Sequence, residues 1–334
     1  MVRLKEIAEA CGVSVATVSR AINGLTNENR ERTAMIRRTA QEMGYYPNAA
    51  ARTLKTSHSS NIGILYEDRM NHEYFSEVLD ELRRAADERG YDLTLIGRGN
   101  GNYYEHARRR NLDGVIIMQA DFRSQNVAEL TSSDMPCVVI GFEYPGCDSV
   151  CSDDRLSLER IVRYVWKMGH RRIAFVTGHE GMVTRERRDA FLRTCTELGI
   201  PVPEGFVRSG KFHSPELCTA AVRELLQSAE KPTCILCPDD NSCLGTLWNL
   251  AVSGIRVPEE VSLVGYDGIG MARMMRPALT TYRQDTKGIA RAAIALLLEA
   301  IEAPEAHQPR RVTVEGTLVE GETVCRNFSP EQNV

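Results

Sequence analysis

Short, uninterrupted apolar runs recur through most of this chain, each separated from the next by a stretch of helical period, and few folds accommodate that alternation. Runs at residues 62–66, 92–96, 114–118 and 137–140 accompany a helical stretch at 74–89. The pattern restarts with helical stretches at 156–168, 187–198 and 216–227 and runs at 173–177, 234–237 and 261–266. A strand covered by helices on both faces shows no polar alternation, so such runs predict buried parallel strands and two α/β units in succession. At 334 residues the chain has room for two or three cores. In open parallel sheets ligands bind beyond the carboxyl ends of the strands, which makes a cleft between two such units the natural small-molecule site.

The first 60 residues differ in kind. They hold nine Lys or Arg against five Glu, whereas the remainder holds 32 basic and 40 acidic residues, so a basic head precedes an acidic body. That asymmetry suggests a polyanion partner for the head alone, the other reading being a solvated charged helix face. Leu4, Ile7 and Ala8 recur at helical spacing, Cys11-Gly12-Val13 interrupts, and Val15, Val18 and Ile22 restart the period. Gly12 can take the positive φ of a tight turn, and Ser14 is placed to cap the second helix. With Val13, Val18 and Ile22 turned inward, Val15, Ala16, Ser19 and Arg20 stay accessible, which is helix-turn-helix grammar.

The string VRLKEIAEACGVSVATVSRAINGL, followed by Gly44-Tyr45-Tyr46-Pro47-Asn48 and Ala51-Arg52-Thr53-Leu54, resembles the head and hinge of the LacI/GalR transcription regulators. The resemblance implies that Val15, Ala16 and Arg20 face bases and that Thr17 and Ser19 hold phosphates. It adds Asn23 to the DNA-binding set, and it makes residues 48–55 a hinge helix in which Asn48 and Arg52 flank a minor-groove wedge, Leu54. The residues themselves agree, since Leu54 among polar neighbours has no core of its own and such wedges are Leu, Ile, Met or Phe. Capping the headpiece core is its other reading. Glu28-Asn29 departs from the family's Val-Ser before the third helix, which puts a like charge near phosphate, although Asn29 still suits a cap.

The resemblance continues through Asp153-Asp154, Gly169-His170-Arg171-Arg172-Ile173-Ala174, Val261-Ser262-Leu263-Val264-Gly265-Tyr266-Asp267 and Leu279-Thr280-Thr281 with Gln284-Asp285. It implies a periplasmic-binding-protein-like effector domain of two parallel-sheet subdomains. Arg187 falls where relatives place an arginine that grips the effector, Asp239 where many have asparagine, and Asp267 at a strand end facing the cleft. Asp68, Arg69, Phe75 and Gln284 complete the implied effector set. Charged planar groups bond paired hydroxyls directionally, so the chemistry fits a polyol. Structural alternatives stand beside these roles: Asp267 as a turn cap, Arg187 as a surface arginine, and Asp239 or Asp240 as N-cap of the helix holding 244–251, with Asp240 the better placed. Thr286 replaces a frequent cleft aromatic and residues 97–111 form a shortened stretch, which leaves the sugar unspecified.

Several classes are excluded. Apolar residues at 43% and charged residues at 26% match a folded globular chain, and no apolar stretch has the length of a membrane helix. Met1 leads into Arg3, Lys5, Glu6 and Glu9 rather than an apolar signal core, so a cytoplasmic protein is expected. The ten cysteines then read as buried thiols, and Cys234 and Cys237, three apart on a strand, point to opposite faces and cannot share a metal. Gly97-Arg98-Gly99-Asn100-Gly101 lacks dinucleotide-loop spacing, and GxxxxGK[ST], GxSxG and HExxH are absent. His170, at a helix end before a strand, reads as a structural cap whose cation suits the helix dipole.

The expected protein is therefore a ligand-responsive transcriptional repressor of carbohydrate-utilisation genes, not an enzyme, without cofactor, metal or membrane partner. It is expected to bind a palindromic operator as a homodimer, because one helix-turn-helix reads too few base pairs. The expected divisions are a headpiece at 1–47, a hinge helix and linker at 48–60, and an effector-binding and dimerisation domain at 61–328. A solute-binding protein for sugar uptake is the runner-up, and a sugar-processing enzyme the third reading. Replacing Arg20 with Ala is expected to reduce discrimination among operators by ~1–3 kcal/mol per lost guanine contact, with less effect on random DNA. Equal weakening of specific and random binding across a salt series would show that Arg20 contacts phosphate instead.

Overall fold

The computed structural model describes residues 2–22, 30–45, 58–67, 72–97, 99 and 101–327, and the chain divides into two compact units, Met1–Ser59 and Ser60–Val334. Three helices are described in the first unit: α1 (Leu4–Cys11), α2 (Val15–Ile22) and α3 (Arg30–Glu42). α1 stops at Gly12, whose φ of 64° lets its N–H turn back onto Ala8 and Glu9 carbonyls. Ser14 Oγ then accepts the Thr17 N–H at 3.2 Å and starts α2, as its spacing predicts. Ile7, Ala8, Val18, Ala21, Ile36 and Ala40 form the core, and Arg37 on α3 donates to the Ala21 carbonyl at 3.0 Å.

In the second unit two sheets, each of six strands, lie between helices. The first contains β1 (Asn61–Tyr66), β2 (Asp92–Ile96), β3 (Gly114–Gln119), β4 (Cys137–Ile140) and β5 (Asp148–Ser152). α4 (Glu73–Asp87), α5 (Tyr103–Arg109) and α6 (Gln125–Thr131) connect them. The second contains β6 (Ile173–Thr177), β7 (Val207–Ser209), β8 (Cys234–Leu236), β9 (Ser262–Asp267) and β10 (Thr280–Arg283), linked to α7 (Asp154–Lys167), α8 (Met182–Glu197), α9 (Pro215–Gln227), α10 (Asp240–Val252) and α11 (Gly270–Met274). After α12 (Thr286–Glu302), β11 (Arg311–Val314) joins the first sheet and β12 (Thr317–Val319) the second, giving orders β11-β5-β4-β3-β1-β2 and β12-β10-β9-β8-β6-β7. Every pairing is parallel except β10 with β12.

The expectation of two units in simple succession needs correction. α12 packs on α4, β3, β4 and β5, and β11 pairs with β5, so the chain returns to the first subdomain after completing most of the second. It crosses between the sheets beside residues 152–154, 283–286 and 314–317. Asp153 and Asp285 cap the helices that begin at two of these crossings, accepting the Leu156 and Gly288 N–H groups at 2.9 Å. α8 also starts five residues before the expected Arg187, because its first turns bury Thr184 and Arg187 rather than an apolar stripe. Cys234 and Cys237 do lie in different cores on opposite faces.

His170 is structural but not a cation. It is buried, Nδ1 lies 2.9 Å from Thr233 Oγ1 and Nε2 3.1 Å from the Cys325 carbonyl oxygen, and burial pushes its pKa down from 6.5 to about 4. The unfolded chain therefore takes up a proton first as pH falls, and this group's contribution to stability is lost between pH 6.5 and about 4. Thermal unfolding at a series of pH values should show wild type losing stability more steeply over that window than a His170→Gln variant. Parallel curves would contradict a buried neutral imidazole.

Candidate functional site

On α2, Val15, Ala16 and Arg20 are exposed and Thr17 and Ser19 half-buried, so the implied reading face is accessible within its own unit. Val15, an apolar residue, is 44% exposed. The Thr17 hydroxyl sits 2.8 Å from Ser14 Oγ, and Arg20 Nε turns back to the Ala16 carbonyl at 3.4 Å, a weak tether that leaves the guanidinium's other donors outward. Asn23, Asn48, Arg52 and Leu54 lie outside the described residues, as do Asp68 and Arg69.

The second unit gathers its polar side chains at the carboxyl ends of β6, β8 and β9 and at the start of α7, where the cleft was expected. Arg187 comes from the second turn of α8 and is buried. Its Nε donates to Asp154 Oδ1 at 2.8 Å and Nη1 to the Pro238 carbonyl at 3.2 Å, and its guanidinium lies 3.6 Å above the Tyr266 ring. The Tyr266 hydroxyl donates to the same Asp154 oxygen at 2.8 Å and lies 2.9 Å from the Ser157 hydroxyl. Burial works against the guanidinium's charge, but Asp154 outweighs it and holds Arg187 protonated. Burial raises the Asp154 carboxyl, with Arg187 and the Tyr266 hydroxyl pulling it back. Arg187 is thus no surface residue, and Asp154 and Tyr266, legible beforehand only as parts of matching strings, are its fixed partners.

Asp267 ends β9 with φ of 114°, a backbone region that a non-glycine residue occupies only under constraint. Its Oδ1 accepts Gln284 Nε2 at 2.7 Å, while Oδ2 is buried and has no hydrogen-bond partner among the described residues. Burial, then the charges of Asp239 and Asp240, push this carboxyl well above the usual range, with Arg187 and the Gln284 bond pulling it back. Gln284 Oε1 in turn accepts the Tyr74 hydroxyl at 3.1 Å, which links α4 of the first subdomain to the second. Phe75, half-buried, lies 5.1 Å from Tyr74 and 5.8 Å from His213 between ring centroids. Thr286 is half-buried at the start of α12 and supplies no stacking surface.

The two neighbouring carboxylates exchange their expected parts. Asp239, not Asp240, caps α10, its Oδ1 accepting Ser242 N–H at 2.8 Å and its Oδ2 accepting His213 N–H at 2.8 Å and the Ser242 hydroxyl at 2.9 Å. The extended backbone of Asp239, just before the helix, suits a cap, whereas Asp240 is already helical. Burial opposes the charge of Asp239, yet the His213 side chain beside it, and then the His213 and Ser242 N–H bonds, hold its pKa below the ordinary value. Asp240 points to β9 instead, accepting Gly268 and Ile269 N–H at 2.8 and 2.9 Å and Thr281 Oγ1 at 2.6 Å, and burial raises it to about 7. A Cβ at Gly265 would fall 2.1 Å from Asp240 Oδ1, which explains a glycine inside this strand.

Residues 3–48 match the bacterial regulatory proteins described as the lacI family, and residues 162–324 match a periplasmic binding protein-like domain. The HTH-type transcriptional repressor PurR of Vibrio parahaemolyticus is 31% identical over 337 residues, covering 97% of this chain and 99% of that protein. PurR of Vibrio atlanticus is 30% identical over 334 residues with the same coverage of both. Among solved structures, a complex of the transcriptional regulator CelR with cellobiose superposes with a TM-score of 0.69 at 26% identity, covering 97% of this chain and all of that one. The lac repressor dimer bound to operator and the anti-inducer ONPF superposes at 0.78 and 22% identity, covering 97% and 99%, a likeness of fold.

Removing one partner of the buried pair strands the other charge. Asp154→Ala should lower unfolding free energy by about 3–5 kcal/mol in urea titration, and the double variant with Arg187→Ala should lose less than the sum of the single losses. Additive losses would show that the two residues act independently.

Proposed function

The chain belongs to the LacI family of bacterial regulatory proteins and is, with that family, a DNA-binding transcription regulator and not an enzyme; on that premise we propose that it is a repressor whose grip on a palindromic operator responds to a small neutral effector in the cleft around Arg187 and Asp267. The observation that carries this reading is the buried, unpartnered Asp267 Oδ2 facing the same cluster as a buried, charged guanidinium. An unsatisfied buried polar atom costs free energy that a ligand recovers. Asp154 and Asp267 both act on the one buried guanidinium, which favours a polyhydroxyl ligand over an anion.

A sugar or sugar derivative fits these donors and acceptors, and the CelR complex with cellobiose supports the class. The ring cluster of Phe75, Phe212, His72 and His213 favours a second class, a planar nitrogen heterocycle such as a purine base, which could lie against those faces. On the DNA side, the proposed readers are Val15, Ala16 and Arg20, with Thr17, Ser19 and Asn23 beside them, and residues 48–55 with Leu54 in the minor groove. A homodimer supplies the second half-site. Exposed Trp248 and Val252 on α10 and Met271 and Met274 on α11, from 53% to 81% accessible, offer apolar surface for it. No described helix is long and apolar enough to cross a membrane, and DNA binding supports a cytoplasmic location.

A thermal-shift panel of sugars, sugar phosphates and purine bases identifies the effector, since a ligand at 100 times its Kd adds roughly 2.7 kcal/mol to stability. Operator binding is then followed by fluorescence anisotropy with and without that ligand. Arg187→Ala should bind operator and ignore the ligand, because couplings of ~1–3 kcal/mol are matched by one lost charged hydrogen bond of ~1.5–3 kcal/mol. Asp267→Asn, which keeps an acceptor, should respond more weakly than wild type but more strongly than Arg187→Ala. An Arg187→Ala protein that binds and answers the ligand like wild type would refute the cleft assignment.

A further inference from the structure

One trio of metal-binding side chains converges among the described residues: His72, His213 and Asp239, whose ligand atoms all lie within 4.8 Å of one another. They come from distant parts of the chain. His72 sits at the N-cap position of α4 and makes no side-chain capping bond, His213 follows β7 with φ of 58°, and Asp239 caps α10. The two imidazole rings pack at 3.7 Å between centroids. His213 Nδ1 is buried without a hydrogen bond and lies 3.7 Å from Asp239 Oδ1. That oxygen accepts one hydrogen bond among the described residues, from Ser242 N–H, and so keeps a lone pair, whereas Oδ2 accepts two.

Two imidazoles in ring contact repel when both are protonated, but as neutral rings they present lone pairs that a shared cation can use. Two imidazole nitrogens and one carboxylate oxygen suit zinc and its first-row neighbours, not Mg²⁺ or Ca²⁺, which prefer all-oxygen shells. Around a tetrahedral ion with bonds of ~2.0–2.1 Å the donor atoms stand about 3.3 Å apart, so the trio needs to contract by about 1.5 Å or less, within reach of small imidazole rotations. We propose that His72, His213 and Asp239 form a site for a divalent first-row transition ion, Zn²⁺ foremost, that clamps the first subdomain to the second and leaves its remaining position to water or to the effector. The proposal deepens the reading of this cleft as the responsive site, and it makes the metal a second input to the same closure.

The test uses metal-free, full-length protein titrated with CoCl₂ alone and then with ZnCl₂ in competition. Wild type should bind one Co²⁺ per chain with visible d–d bands, release it to Zn²⁺, and show two paramagnetically shifted imidazole signals by proton NMR. His72→Gln and His213→Gln should each weaken Co²⁺ binding by about 100-fold or more, with metal-free melting temperatures close to wild type. If either variant fails to fold, the NMR signals of the wild-type complex decide. No Co²⁺ or Zn²⁺ bound at micromolar concentration, unchanged affinity in a folded variant, or a complex without two imidazole signals would overturn the proposal. Operator affinity and effector response of the metal-free wild type, measured in parallel, test the regulator reading separately.

Discussion

The proposed effector site is organised around one buried ion pair. Arg187 sits in the interior beneath α8, held by Asp154 at 2.8 Å and seated on the Tyr266 ring, and neither charge has water to fall back on. Asp154 is the first residue of α7, directly after the crossing from β5, so the pair ties a connection between the two sheets to α8. Such a pair adds little net stability compared with apolar packing of the same volume, but once present it is expensive to break. Its value is geometric: with the Pro238 carbonyl it fixes the guanidinium's orientation over Tyr266, which would reduce the ordering that a ligand at the proposed site must impose.

The contacts between the two subdomains are equally specific. Tyr74 on α4 reaches Gln284, and through it Asp267, while Glu73 accepts the Gly270 N–H at 2.7 Å and Arg311 meets Glu186 through two bonds of 2.8 Å. Were the halves to separate, these groups would exchange one another for water, so two such forms would differ by only a few kcal/mol. A ligand or ion that bonds to both sides favours the closed form by its own differential affinity and no more.

Much of this was legible in the chain. The turn at Gly12, the cap at Ser14 and the apolar runs of the central strands are local signals, and the structure follows them. What escaped was what depends on contacts made far away in sequence. β5 carries Asp148, Ser149 and Ser152, buried because β4, β11 and α12 cover them, so no apolar run announces it. α8 opens with a polar inward face because Thr184 and Arg187 on it bond to the His179 and Pro238 carbonyls and to Asp154, and Asp239 and Asp240 are adjacent acids whose roles are decided by backbone angle. His170 looks like a helix-end cation until Thr233 and Cys325 close around it. The meeting of His72 with His213, 141 positions apart, has no signature in spacing at all.

Reciprocal linkage tests the account most directly. If effector and operator compete for two forms of one protein, the factor by which the effector changes operator affinity must equal the factor by which operator changes effector affinity. Calorimetric titration of the effector into protein, with and without saturating operator duplex, measures the second factor, and anisotropy measures the first. The account predicts one common factor, of order 5 to 150, that collapses to unity in Arg187→Ala. An effector affinity unchanged by operator, in a protein that binds both, would contradict it.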